Sequence, residues 1–127
     1  MSVKYKVDQS KQLSTIIARG KISPNEIIDV IESIYQFMPI NNVLWDFRYA
    51  DPQPLIISNN LENIAANFRK TYWNLKNVGK TAIVASTDLW FSFVKIFMKF
   101  EENKKISHSI QIFRFMDEAI KWLGSKG

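Results

Sequence analysis

Few side chains in this chain of 127 residues could carry out chemistry. It has one histidine, His108, and no cysteine, which excludes thiol nucleophiles, disulfides and zinc–thiolate sites. A catalytic triad or a metal site needs partner groups close in space, and a lone histidine supplies none of them. We therefore expect His108 to pack at the surface or at a strand edge, and we predict no metal and no other cofactor.

Two carboxylates, Asp46 and Asp51, lie near the end of a predicted strand at residues 42–49. Crevices open at the carboxyl ends of strands in α/β folds, so acidic groups there can bind ligands. General acid–base catalysis would need the two groups close together, and we expect structural or solvent-facing roles instead. The four glycines form neither a P-loop nor a dinucleotide-binding fingerprint. With no catalytic residue assigned, we predict that the chain is not an enzyme.

The best candidate for a functional element is an apolar helix predicted at residues 89–100, where nine of twelve residues are apolar. One stripe along this helix is enough to cover a sheet, namely Phe93, Ile96, Phe97 and Phe100. A second stripe has no obvious place in the core of a small domain: Trp90, Phe91, Val94 and Met98. An apolar stripe left unburied marks an interface, and these residue types are common at interfaces.

Three explanations of that second stripe stay open. A homodimer contact, or a contact with another protein, comes first because symmetric pairs are the commonest oligomers. A lipid, apolar-ligand or anionic membrane surface comes next, because four lysines lie near the helix: Lys95, Lys99, Lys104 and Lys105. Packing against a neighbouring helix of the same chain is the third explanation.

The net charge of +5 is unevenly distributed along the chain. Residues 69–105 contain eight basic and three acidic side chains, and the remainder is neutral. Such a basic segment could attract an acidic protein, anionic lipid or nucleic acid, or form a solvated face. Nucleic acid is the least favoured partner, since no exposed aromatic platform can be placed among the basic residues.

The elements that must position these residues alternate between strands and helices. Polar turn residues join two strands at residues 4–8 and 13–22 into a hairpin. Ser23-Pro24-Asn25-Glu26 predicts a capping box at the start of a helix. After the strand at 42–49 and a loop at 51–54, Ser58 or Asn59 is expected to cap the next helix.

The rest of the chain continues the alternation with a buried strand at 81–85, the apolar helix, a strand at 110–113 and a helix at 117–123. The order ββαβαβαβα predicts one domain over residues 1–127 with a largely parallel sheet. The N-terminus has no apolar signal region, and the longest strongly apolar run is ten residues, too short for a bilayer. We predict a cytoplasmic protein without a transmembrane segment.

Three stretches together resemble a known family: VLWDFRYAD, GKTAIVAST and the ending IQIFRFMDEAIKWLG. They are similar to the SpoIIAA-like branch of the STAS superfamily (sulfate transporter and anti-sigma-factor antagonist domains). The resemblance implies an α/β fold of STAS type, with a mixed, mostly parallel sheet, an N-terminal β-hairpin and covering helices. It also implies a regulatory, protein-binding role.

The family's phosphorylated serine lies in an Asp-Ser-Ser-Gly-like turn after the central strand, and members bind a nucleotide-bound kinase. This chain has Asp51-Pro52-Gln53-Pro54 there instead. Ser58 is the nearest candidate for phosphorylation, although a helix-capping role is favoured for it. Phe115 stands where members have an acidic helix cap, and we expect it to form an exposed contact.

Overall fold

The computed structural model describes residues 2–37, 42–58, 63, 64, 66, 79–102 and 110–125. Its strands are β1 (Ser2–Asp8), β2 (Leu13–Lys21), β3 (Asn42–Asp51), β4 (Thr81–Val84) and β5 (Ile110–Phe113). Its helices are α1 (Pro24–Phe37), α2 (Gln53–Ser58), α3 (Asp88–Glu102) and α4 (Met116–Leu123). This order confirms the predicted alternation of strands and helices and the α/β fold class.

The five strands form one sheet in the order β1-β2-β3-β4-β5. The β1–β2 pair is antiparallel, and every later pair is parallel. Side chains on one face of the sheet form the larger core with α1, α2 and α3. On the other face a smaller cluster joins β3 and β4 to α4, and it consists of Leu44, Ala82, Val84, Ala119 and Leu123.

The predicted capping box at the start of α1 is present. The Ser23 hydroxyl accepts a hydrogen bond from the Glu26 backbone N–H at 3.3 Å. The Glu26 carboxylate in turn accepts one from the Ser23 N–H at 3.0 Å. These bonds satisfy two N–H groups that have no acceptor within the helix, so the helix start is fixed locally.

The loop predicted at residues 51–54 is wrong in part, because a short helix that was not predicted, α2, begins at Gln53 inside it and ends at Ser58. Residues 59–62, where the next helix was expected to begin, lie outside the described residues, so its cap at Ser58 or Asn59 stays a prediction. The Asp51 carboxylate accepts the Gln53 N–H at 3.0 Å and thereby caps the turn. Pro54 then falls in the first turn, where N–H groups lack helical acceptors anyway. Of the helix expected up to residue 72, the structure describes three further residues, 63, 64 and 66, and all are helical.

Hydrogen bonds from Lys80 and Asn42 connect the C-terminal end of α4 to the amino ends of β3 and β4. The Lys80 ammonium donates to the carbonyl oxygens of Trp122 at 3.0 Å and Ser125 at 2.6 Å. The Asn42 side-chain amide donates to the Leu123 carbonyl at 3.1 Å. Cations near the last carbonyls of a helix are favourable, so these contacts hold α4 over β3 and β4.

The candidate interaction surface of α3 and the exposed sheet face

Helix α3 packs against the sheet with its second stripe, the one that the sequence analysis expected to lie outside the core. Trp90 is only 2% exposed and Val94 is buried as well. The Trp90 ring stacks on Phe47 with centroids 4.4 Å apart, and its indole N–H donates to the Ala50 carbonyl at 2.7 Å. Placing Trp90 and Val94 on an unburied stripe was therefore wrong, because both belong to the core.

The two large apolar residues that α3 leaves most exposed are Leu89 and Ile96, at 50% and 51%. Phe93 and Phe97 are half-buried against the larger core. The helix is thus rotated relative to the prediction, and Ile96 moves from the sheet side to the solvent side. Since both stripes are apolar, hydropathy does not indicate which of them faces the sheet.

Three of the predicted residues line one groove between α3 and β5. Lys95, Met98 and Lys99 form it together with Ile96 and with Ile112 of β5, and its volume is about 400 Å³. Met98 and Ile112 are half-buried and both lysines are exposed, so the groove has an apolar floor and a basic rim. Its volume falls within the range of about 300–1,000 Å³ that is usual for small-molecule sites.

Phe91, another predicted residue, is half-buried between two cations. The Arg114 guanidinium lies 4.3 Å from the ring centroid and the Lys95 ammonium 5.4 Å. Arg114 also pairs with the Asp88 carboxylate at 2.5 Å. The negative face of an aromatic ring attracts cations, so Phe91 helps to hold the Arg114 guanidinium and the Lys95 ammonium near its ring.

Phe115 is 63% exposed and directly precedes α4. It is the N-cap residue in extended backbone conformation, and its side chain makes no capping bond. Lys104, Lys105 and His108, also considered from the sequence, lie outside the described residues.

The Asp46 carboxylate accepts hydrogen bonds at a β-bulge in β3. Between the pairs Ile17–Asp46 and Arg19–Tyr49, β3 uses one residue more than β2. Asp46 is buried, and its carboxylate accepts the Arg48 backbone N–H at 3.1 Å. It also accepts hydrogen bonds from Nε and one terminal nitrogen of the Arg48 guanidinium, both at 2.9 Å. These hydrogen bonds raise the pKa of the Arg48 guanidinium above its ordinary value.

The bulge brings two guanidinium groups onto one exposed ring. Tyr49 is 57% exposed, and the guanidinium carbons of Arg19 and Arg48 lie 5.3 Å and 5.1 Å from its centroid. The sequence analysis did not single out any of these three residues. A bulge re-aims side chains by one position, and alternation along a strand does not indicate where it occurs.

The other candidate for a ligand site is a void in the larger core. It has a volume of about 60 Å³ and is lined by residues that include Trp45, Phe47 and Trp90. This is well below the volume of usual ligand pockets and below that of an engineered cavity that binds benzene. The groove beside β5 is therefore the roomier of the two spaces.

Within the described residues, Asp46 and Asp51 do not form an acid–base pair, since one binds Arg48 and the other caps α2. The same part of the chain contains no group of three metal-ligating side chains that could hold an ion. None of its described helices combines the length and the apolar character needed to cross a bilayer.

A hairpin followed by parallel βα units in one five-stranded sheet is the mixed, mostly parallel α/β architecture expected from the sequence. Similar solved structures are those of SpoIIAA. The anti-sigma factor antagonist SpoIIAA in its unphosphorylated form has a TM-score of 0.49 and 10% identity, over 98% of this chain and 100% of that one. The Bacillus cell fate determinant SpoIIAA in its phosphorylated form has a TM-score of 0.47 and 10% identity, over 96% and 99%. No family model and no curated protein matches the chain.

Proposed function

We propose that this chain is a non-enzymatic regulatory protein-interaction module of STAS type that self-associates through the solvent-facing side of α3. The observation that carries the proposal is the pair Leu89 and Ile96, two half-exposed apolar side chains seven residues apart on one helix. Residues two turns apart lie on the same face, so the pair forms an apolar stripe. The contact differs from the one expected at first, because Trp90 and Val94 are core residues.

The stripe suits an antiparallel contact between two copies. Leu89 and Ile96 lie about 10 Å apart along the helix axis at a rise of ~1.5 Å per residue. A two-fold axis midway between them pairs Leu89 with the partner's Ile96 and repeats that contact by symmetry. Ser92, exposed and small, lies near the axis and allows the helices to approach closely.

Charge also favours the antiparallel arrangement. Asp88 begins α3 with a side chain that is 92% exposed, while Lys95 and Lys99 lie toward its other end. Antiparallel pairing brings Asp88 of one helix toward the lysines in the middle of the other, Lys95 and Lys99, which precede the terminal Glu101 and Glu102. A parallel pair would place like charges together, which is unfavourable.

A second candidate function is the binding of a small apolar ligand or lipid with an anionic group. The groove of about 400 Å³ supports it, since Met98 and Ile112 would contact an apolar body and Lys95 and Lys99 an anionic head. A cytoplasmic location, a single domain over residues 1–127 and phosphorylation of Ser58 stay predictions.

Native mass spectrometry of the purified protein tests both functions at once. We expect a dimer for the natural sequence and a monomer for Leu89→Glu, because a buried unpaired charge opposes the apolar contact. Ile120→Glu is the matched control, since Ile120 is 53% exposed on α4, and it should remain dimeric. A monomer carrying a small-molecule adduct would favour the ligand function instead. A bare monomer of the natural sequence would contradict both.

A further inference from the structure

Helix α4 covers only part of its face of the sheet. It packs on β3, β4 and β5, through the smaller cluster that includes Leu44, Ala82 and Leu123. Leu13 at the start of β2 packs against this cluster, whereas the β1 and β2 side chains farther along that face have no described helix above them. Ile16 and Ala18 of β2 point into the larger core, so the alternating residues Thr15, Ile17 and Arg19 lie on the uncovered side.

The uncovered area is basic. Lys4 and Lys6 of β1 pair in register with Ile17 and Thr15, and therefore share their face. Arg19 lies one step along β2, and Arg48 follows the bulge in β3. All four cationic side chains are exposed. Of the carboxylates on this face, Asp46 is buried and bound to Arg48, and Asp8 at the end of β1 accepts hydrogen bonds from Ser10 and Lys11 in the turn.

Arg19 is a cation of this area that forms no ion pair among the described residues. Its guanidinium lies over the Tyr49 ring, as does that of Arg48. The charge of Arg48 is balanced by Asp46, whereas Arg19 remains available to an anion, and an arginine fork suits a carboxylate.

We infer that this basic sheet face, formed by Lys4, Lys6, Arg19, Arg48 and Tyr49, is a docking surface for an acidic polypeptide segment. An extended segment repeats its side chains on one face every ~6.8 Å, which is also the spacing of alternate residues along a strand such as Lys4 and Lys6. Glutamate or aspartate at alternate positions therefore matches the surface in charge and in spacing.

A single-stranded nucleic acid fits the surface less well. Such binding relies on bases that stack on free aromatic faces. The Tyr49 ring already has two guanidinium groups within 5.3 Å of its centroid, which compete with a stacked base, and its hydroxyl can donate a hydrogen bond to a carboxylate. The inference rests on the proposal that the chain is an interaction module, but not on its self-association, because α3 lies on the opposite side of the sheet.

Fluorescence anisotropy with short labelled peptides tests the inference on the full chain. The probe alternates glutamate and serine, its neutral match alternates glutamine and serine, and an oligouridylate reports on nucleic acid. We expect the acidic probe to bind and to weaken steeply with salt. Arg19→Gln should lower its affinity about tenfold and Arg19→Lys much less, since one close charge pair is lost in the first case only.

Lys121→Gln is the matched control, because Lys121 is an exposed cation on α4 that does not belong to the proposed surface of Lys4, Lys6, Arg19 and Arg48. It should leave the affinity for the acidic peptide unchanged, as should Leu89→Glu. The inference is overturned if the acidic probe does not bind at low salt, if Lys121→Gln weakens it as much as Arg19→Gln, or if oligouridylate binds more tightly. A natural sequence that is monomeric and still binds the acidic peptide would contradict self-association alone.

Discussion

At the scale of the residue, Asp46 shows how one buried carboxylate can serve several donors. Its carboxylate accepts a hydrogen bond from the Arg48 backbone N–H, which the bulge removes from the ladder of bonds between strands. It also accepts hydrogen bonds from Nε and one terminal nitrogen of the Arg48 guanidinium. A buried carboxylate is costly unless its oxygens are hydrogen-bonded, and here both are. Asp46 thus stabilises the bulge and fixes the direction of Arg48 over Tyr49.

Replacing this carboxylate tests its structural role. Asp46→Asn should lower the free energy of unfolding by about 1–3 kcal/mol, because hydrogen bonds to a charged acceptor are lost in a buried place. Asp29→Asn, an exposed position on α1, should change it by less than about 0.5 kcal/mol. Urea denaturation measures both, and equal midpoints for the two variants would contradict the assignment.

At the scale of the element, α3 is oriented by the relative size of its two apolar stripes. A buried tryptophan removes about 150–250 Å² from water, more than an isoleucine can. Trp90 accordingly packs against the sheet, and its indole N–H donates a hydrogen bond to the Ala50 carbonyl. Leu89 and Ile96 remain exposed to solvent. The largest apolar side chain of a helix is thus a poor guide to the helix's interface, because the core competes for that side chain.

The start of α1 offers a separate test at this scale. Ser23→Ala removes the acceptor for the Glu26 N–H and should lower the free energy of unfolding by about 1 kcal/mol. Glu26→Gln keeps an oxygen acceptor for the Ser23 N–H, so its effect should be smaller. Urea denaturation of the two variants gives the comparison, and the reverse ranking would be inconsistent with the capping box.

At the scale of the whole molecule, the sheet separates two surfaces of different character. One side carries the apolar stripe of α3, and the other carries basic side chains beside α4. A self-contact on the first side leaves the second free for an acidic partner. On the two proposals made above, the chain would bind an acidic partner and its own copy on opposite sides of the sheet.

Self-association has a consequence for the stability of the whole molecule. If folding is linked to dimer formation, the thermal midpoint rises with protein concentration, by mass action. We expect this rise for the natural sequence and its absence for Leu89→Glu. Thermal melts over about a hundredfold range of concentration, where the linkage is worth up to ~2.7 kcal/mol, would detect it. A midpoint independent of concentration for the natural sequence would count against the dimer.

Much of the fold followed from local patterns. The capping residues Ser23 and Glu26 predicted the start of α1, and the short apolar stretch at residues 81–85 predicted a strand buried on both faces. Where a local interaction of Asp51 acted, a short helix formed inside the predicted loop at residues 51–54. The sequence indicated Lys95, Met98 and Lys99 as separate candidates, and helical spacing brings them to one groove, while their role stays a prediction.

The sequence by itself determined the order of strands and helices and the presence of an α3 too apolar for solvent, because periodicity and capping act between near neighbours. The tertiary structure decided which side of α3 faces the sheet and where β3 bulges. Both outcomes depend on contacts between residues far apart in the chain, such as Trp90 with Ala50 and Arg19 with Tyr49. Those contacts, more than composition, placed the exposed apolar stripe and the basic face.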